Sequence, residues 1–327
     1  MGRQISQREV SERRRAGGGL PTEVVDVVVI LFIAIAFTVG GMSGAAAWAM
    51  ALLFALSSVI AIVYLRLDPH VAHTAGGFAF VRTRRLADGS LARILRTRGV
   101  YQSATHLDER RFEPVFAYQR GFSVVFDVED AMRAASGHGI SRVLALGGGG
   151  YAWPKYALTE HPDLAMTVVE IDPEVTSLAR RLFFLDELER IAGARLQLVC
   201  DDGRTVLERD AAEGAAYDVI VNDTFSGAEP VRGLATIEAM RAARSCLTPG
   251  GIYITNVVSR GEGTDVTFLR DVVATLSAVF AHVWVLPVTE ELFAGEDNYL
   301  VVASDAAYAW PDAVPFDREF LGEVLED

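Results

Sequence analysis

The chain is short of cysteine and shorter still of lysine. Cys200 and Cys246 are its two cysteines, and neither stands in a CxxC or Cys/His spacing. That excludes a disulfide framework and a structural zinc site, and no metal site is expected. Both thiols read as core residues. Lys155 is the one lysine; every other basic residue is an arginine. Basic side chains are scarcest where nucleic acid would need them. Residues 101–327 carry 18 basic against 37 acidic side chains, a net of −19, whereas a phosphate backbone requires the opposite balance. An acidic body suits a cationic substrate instead. Residues 1–100 reverse the sign, with 12 arginines against 6 acids, a net of +6. With 327 residues, 51% of them hydrophobic, the chain can bury a large core, so wholesale disorder is excluded.

Residues 24–65 are almost free of charge, and Gly40-Gly41 with Ser43-Gly44 break them into apolar runs at 24–39 and 45–65. A membrane helix needs about 20 apolar residues. The second run qualifies, and the first does so if the glycines are counted in. Arg13, Arg14 and Arg15 precede the pair, and Arg66, Arg82, Arg84 and Arg85 follow it. The positive-inside rule then puts both ends in the cytoplasm. The expectation is a two-helix transmembrane hairpin over 24–65 behind a basic cytoplasmic terminus, 1–23, which anchors the rest to the cytoplasmic face of the cell membrane. A signal peptide ending near Ala47-Trp48-Ala49 and a hairpin buried in a soluble fold are the alternatives.

Residues 66–77, with Pro69 and Gly76-Gly77, read as a linker. Loose alternation of apolar residues over 78–107, around an Asp88-Gly89 turn signal, predicts a small β unit. Residues 112–136 read as helix leading into a large domain over 137–327, so that 78–136 forms a small β domain with its connecting helix.

In the large domain short apolar strands alternate with helices. Strands are expected at 143–146, 166–170, 196–199, 217–221, 252–257, 283–287 and 299–303, and helices at about 153–160, 174–184, 204–211, 236–246 and 265–279. That order predicts an α/β fold, a mostly parallel Rossmann-like sheet covered on both faces. The loop between the last two strands leaves no room for a crossover helix, so they should pair antiparallel at one edge. Such an ending is the seven-stranded methyltransferase type of sheet.

Four strand ends carry candidate chemistry. The first is Gly147-Gly148-Gly149-Gly150, a bare backbone before a helix, where a nucleotide can approach closely. The second is Glu170, 23 residues after Gly147, placed to accept hydrogen bonds from ribose hydroxyls. Asp172 next to it reads as the cap of the helix beginning at Pro173. The third is Asp201-Asp202-Gly203, in which one acid can cap the helix and the other can accept from an adenine amino group. The fourth is Asp223, at the end of an apolar strand and facing the crevice. An alkylamine has a pKa of about 10, arrives protonated, and needs both a carboxylate to hold it and a base to take its proton.

With "LGGGG", "VVEIDPEV", "DDGRTVL" and "YDVIVNDTFSG" in this order and spacing, the sequence resembles the spermidine synthase family of aminopropyltransferases over roughly residues 80–303. Upstream, "GVYQSATHLDERRFEPVFAYQRGF" is similar to the family segment that joins a small β domain to the sheet. The resemblance implies a membrane-anchored relative of that family, commonly a homodimer, with no prosthetic group. Decarboxylated S-adenosylmethionine would be the co-substrate, a small-molecule amine such as putrescine the acceptor, and methylthioadenosine the by-product. It implies that Gln102, Gly147, Gly148, Gly149, Glu170, Asp201, Asp202 and Gly203 line the donor site, with Glu170 on the ribose and Asp202 on the adenine. Tyr118 and Gln119 would line the acceptor site, and Asp223 would orient and deprotonate the attacking amine.

Two positions depart from the family pattern. Gly150 stands where the family carries an Asp that holds the donor amine, and Ser226 stands where it carries a second acceptor-site Asp, for which Glu229 could partly substitute. These departures keep other readings in play: an S-adenosylmethionine-dependent methyltransferase on the same sheet, a nucleoside-binding module without catalysis, and an NAD enzyme.

Overall fold

A computed structural model describes residues 44–66, 70–98, 100–226, 229–258, 265–289 and 298–327. The chain divides into two compact units, Met1–Val71 with Phe80–Thr83, and Ala72–Ala79 with Arg84–Asp327.

In the first unit Gly44–Arg66 forms a helix, α1. Its sequence has no charge before Arg66 and no internal Gly or Pro, and straight-chain and small residues dominate, which favours the helix. Ser57 and Ser58 donate their hydroxyls to Phe54 O at 2.9 and 2.8 Å, so both find an acceptor within the helix itself. Met50, Leu52, Leu53 and Leu56 are exposed along it. Among the described residues the expected two-span hairpin is not found. Residues 24–39 lie outside the described residues, and among the described residues no helix is long and apolar enough to cross a membrane.

Strands β1 (His70–Thr74), β2 (Gly77–Arg85), β3 (Leu91–Thr97) and β4 (Val100–His106) form a four-stranded sheet in that order. β1 takes up part of the segment read as linker. The Asp88-Gly89 turn is present: Gly89 has φ +84°, and Asp88 Oδ1 accepts from Ser90 N and Oγ at 2.9 and 2.6 Å. The helix expected over 112–136 is instead three pieces: α2 (Ala117–Gly121), a 3-10 turn (Phe122–Val128) and α3 (Glu129–Ser136). Pro114 bridges to Thr105 and delays the helix start. Gly121 passes so close to Leu300 that a Cβ there would sit 2.6 Å from its Cδ1.

The large sheet contains β5 (Arg142–Leu146), β6 (Ala165–Val169), β7 (Leu196–Val199), β8 (Tyr217–Asn222), β11 (Leu247–Val258), β12 (His282–Val288) and β13 (Asn298–Ser304), in the order β12-β13-β11-β8-β5-β6-β7. A separate two-stranded ladder joins β9 (Phe225–Ser226) to β10 (Glu229–Pro230). The five strands β5, β6, β7, β8 and β11 run parallel, while β13 is antiparallel to both β11 and β12. The seven-stranded mixed sheet of methyltransferase type and its antiparallel edge are therefore as expected. Between the strands lie α4 (Ala152–Glu160), α5 (Pro173–Leu182), α6 (Leu185–Ala192), α7 (Gly203–Glu213), α8 (Ile237–Ser245) and α9 (Thr267–Ser277). The helix expected over 174–184 stops at Leu182, because Phe184 takes a left-handed φ of +62° and starts α6, a helix the sequence pattern missed.

The parallel strands are apolar on both faces, with Leu144, Leu146, Val169, Ile220 and Tyr253 buried in one core. Cys246 lies in this core, but Cys200 is exposed just past the end of β7, so only one of the two thiols is a core residue.

Candidate active site

The strand order reverses between β5 and β8, and the crevice outside their carboxyl ends is where such sheets bind ligands. Five consecutive strand ends in the sheet order meet there: Asp201-Asp202 after β7, Glu170 after β6, the glycines after β5, Asp223 after β8, and Asn256 near the end of β11.

The glycine loop is fixed at its base. Gly147 N donates to Val169 O and Asp223 N donates to Leu146 O, both at 2.9 Å. Each glycine has its own reason to be one. Gly147 has φ +94°, and a Cβ there would collide with the Asp223 carbonyl. A Cβ on Gly148 would meet the Tyr151 ring at 2.7 Å. Gly149 has φ +51°, and a Cβ there would meet nothing closer than Gln102 O and Ser103 Cβ, both at 3.9 Å. A Cβ on Gly150 would run into Ser103 Oγ and lie 2.8 Å from Ser103 Cβ and 3.1 Å from Phe183 Cδ1. Gly149 alone of the four therefore borders open space, and β4 carries Gln102 and Ser103 along the loop.

Glu170 reaches back to this loop. Its Oε2 accepts from Gly148 N at 3.0 Å and Gly149 N at 2.9 Å, and its Oε1 accepts from Asp172 N at 3.0 Å. The carboxylate is thereby oriented by three backbone amides, with lone pairs left for hydroxyl donors. Asp172 caps α5 as expected, accepting from Glu174 N at 2.9 Å, with Pro173 at the first helical position. In the acidic pair it is Asp202 that caps α7: its Oδ1 accepts from Thr205 N at 2.9 Å. Asp201 Oδ1 accepts from Asp202 N at 2.9 Å, and its Oδ2 faces Arg209 at 3.5 Å. The residue implied for adenine thus also serves as the helix cap. Gly203 opens α7 with Leu234 Cδ1 3.2 Å from where its Cβ would be.

Asp223 is the most perturbed carboxyl of the site. Burial pushes it up to about 7, while the side chains of Asn256, Tyr118 and Gln119 hydrogen-bond to it and pull the other way. A carboxyl that titrates near neutrality is suited to general-base work. Gln119 Nε2 donates to Tyr118 Oη at 3.2 Å. Asp223 Oδ1, Gln119 Oε1 and Asn256 Oδ1 are buried acceptors without a hydrogen-bond partner among the described residues. The structure therefore gathers Tyr118, Gln119 and Asp223, which sequence reading had selected, around one carboxylate. It adds Asn256, which that reading passed over; an amide inside the apolar run "ITNVV" was the available signal. Ser226 and Glu229 are backbone register partners in the β9–β10 ladder.

Residues 132–288 match the spermine/spermidine synthase domain. The polyamine aminopropyltransferase of Vibrio vulnificus is 28% identical over 121 residues, which is 37% of this chain and 39% of that protein. An eEF1A lysine and N-terminal methyltransferase homolog of Drosophila pseudoobscura pseudoobscura is 28% identical over 172 residues, covering 51% of this chain and 23% of that protein. The chain therefore spans well under half the length of these relatives. A probable spermidine synthase from Corynebacterium glutamicum shares the fold with a TM-score of 0.58 and 23% identity, over 74% of this chain and 82% of that one.

Proposed function

We propose that this chain, which carries a spermine/spermidine synthase domain over residues 132–288, is an aminopropyltransferase that uses decarboxylated S-adenosylmethionine and a small polyamine. One observation carries the reading: three unpartnered buried acceptors, Asp223 Oδ1, Gln119 Oε1 and Asn256 Oδ1, around a carboxylate that titrates near 7. An alkylammonium supplies the donors they lack. Asp223 takes a proton from the amine, the nitrogen lone pair attacks the methylene beside the sulfonium, and the carbon–sulfur bond breaks with its electrons going to sulfur. Methylthioadenosine leaves, and charge is lost at sulfur as the bond breaks. Gln102, Gly147, Gly148, Gly149, Glu170, Asp201, Asp202 and Gly203 hold the adenosine part, with Glu170 on the ribose, and Tyr118 and Gln119 line the amine side.

A methyl-transfer reading has one observation in its favour. The space a side chain at Gly150 would occupy is filled by Ser103 and Phe183, so no carboxylate stands there to select a donor that lacks its own. Incubation with S-adenosylmethionine or its decarboxylated form, plus a panel of amines, separates the two. Methylthioadenosine formed from the decarboxylated donor alone is the expected result, and S-adenosylhomocysteine would overturn it.

The same reading takes 78–136 as a small β domain, 137–327 as the donor-binding domain, and the enzyme as a homodimer. It also attaches the chain to the cytoplasmic face of the membrane through 24–65. The arginines flanking that segment and the exposed apolar side chains of α1 support the attachment. Release of the full chain from membranes by alkaline carbonate would contradict it.

A further inference from the structure

One ionisable side chain of the core has no part in the site above. Lys155, the only lysine of the chain, is 1% exposed. It stands on α4, the helix that grows out of the glycine loop, and its backbone N donates to Tyr151 O at 3.0 Å. Its Nζ donates to Thr105 Oγ1 at 2.9 Å and to Phe183 O at 2.8 Å. Thr105 Oγ1 gives its own proton to Arg111 O at 2.8 Å, and Arg111 is paired with Glu187. A neutral amine has two N–H groups, and both are used here. An ammonium has a third, for which the described residues offer no acceptor. Burial and the Arg111 cation push this amine down to about 7, with Glu187 pulling the other way. Arg111 and Glu187 are the charged groups facing it among the described residues.

The two acceptors are not arbitrary. Thr105 lies two residues beyond Ser103 on β4, so their side chains share a face of the strand. Ser103 and Phe183 are the residues whose side chains fill the space over Gly150. One amine therefore ties both walls of the glycine loop to the helix that begins there.

We propose that Lys155 is a positioning residue for the nucleoside pocket, clamping β4 and the Phe183 turn onto the glycine loop. The proposal rests on the reading that this loop holds an adenosine group. The clamp is satisfied when the amine is neutral. Protonation adds a buried charge and an unpaired donor, loosens both walls and weakens nucleoside binding. By reciprocity a bound nucleoside favours the neutral amine.

Because the chain has a single lysine, labelling with nitrogen-15 lysine gives one Nζ signal in the full-length protein. Its titration is followed with and without saturating methylthioadenosine, alongside calorimetric affinities for wild type and Lys155→Met at pH 8 and pH 6. Three results are expected. The titration midpoint falls by about one unit on binding, equivalent to about a tenfold change in affinity. Wild type binds about fivefold more weakly at pH 6 than at pH 8. Lys155→Met binds about tenfold more weakly than wild type at pH 8 and loses most of that pH dependence. A midpoint that does not move when methylthioadenosine binds overturns the clamp, and this arm needs only wild type should Lys155→Met fail to fold. Wild type that fails to bind methylthioadenosine at any pH overturns the adenosine reading itself, and the clamp with it.

Discussion

Replacing Asp223 with Asn should make the protein more stable and nearly inactive. In the folded chain burial moves the Asp223 carboxyl from 3.8 to about 7. Each unit corresponds to about 1.4 kcal/mol, so holding the ionised form costs the native state at most about 4 kcal/mol. The residue keeps some contact with solvent, which brings the expectation to about 2–4 kcal/mol. The sign follows from proton counting. Between about pH 4 and pH 7 the folded state keeps a proton that the unfolded chain has released, so native stability falls across that window as pH rises and levels off above it. Below pH 4 the carboxyl is neutral in both states, and the amide brings no gain. The advantage of Asp223→Asn therefore grows from pH 4 to pH 7 and is complete at pH 8. For a domain of this size it raises the melting temperature by about 5–10 °C. Calorimetry at pH 8 and pH 4.5 measures it. Turnover at pH 8 should drop by about 100-fold or more, while methylthioadenosine binding stays within a few-fold. A melting temperature unchanged at pH 8, or raised equally at both pH values, would refute burial as the origin of the shift.

Two further outcomes follow from the same geometry. Turnover, followed as methylthioadenosine release, should rise about tenfold per pH unit on the acid side and flatten above about pH 7 as Asp223 loses its proton; a limb near pH 4 would remove Asp223 from the base role. Gly150→Asp should destabilise the fold by about 1–3 kcal/mol through overpacking, because its Cβ would lie 2.8 Å from Ser103 Cβ. Ser103→Gly in the same chain should recover most of that loss, and simple additivity in a urea-denaturation cycle would contradict the contact.

Much of the fold was legible because hydrophobic runs of strand length alternate with helical periodicity from Arg142 onward. All seven large-sheet strands appear where the pattern puts them. What escaped was set by tertiary contact. Phe183 is fully buried and Phe184 takes a left-handed backbone without being glycine, so no turn residue announced the break before α6. The three pieces of the 112–136 segment follow from the Thr105–Pro114 bridge and from Leu300, residues far away in sequence or on another element. In the site, Glu170, Asp202 and Asp223 were visible because acids at apolar strand ends are unusual. Asn256 was not, because an amide in an apolar strand marks the position as unusual but does not say that the partner is a carboxylate on the neighbouring strand.

The glycine loop shows how far such a motif can be trusted. Four glycines in a row read naturally as a surface cleared for a ligand, yet Gly147, Gly148 and Gly150 are cleared for protein: the Asp223 carbonyl, the Tyr151 ring and the Ser103 hydroxymethyl. Only Gly149 leaves open space, and its amide, with that of Gly148, is held by Glu170. The carboxylate implied for the ribose is therefore oriented before any ligand arrives, so less rotamer freedom is lost on binding. The same packing decides what the loop excludes. A carboxylate at position 150 is not merely missing; Ser103 fills the space it would start from. Placing a carboxylate there therefore requires a change at Ser103 as well as at Gly150.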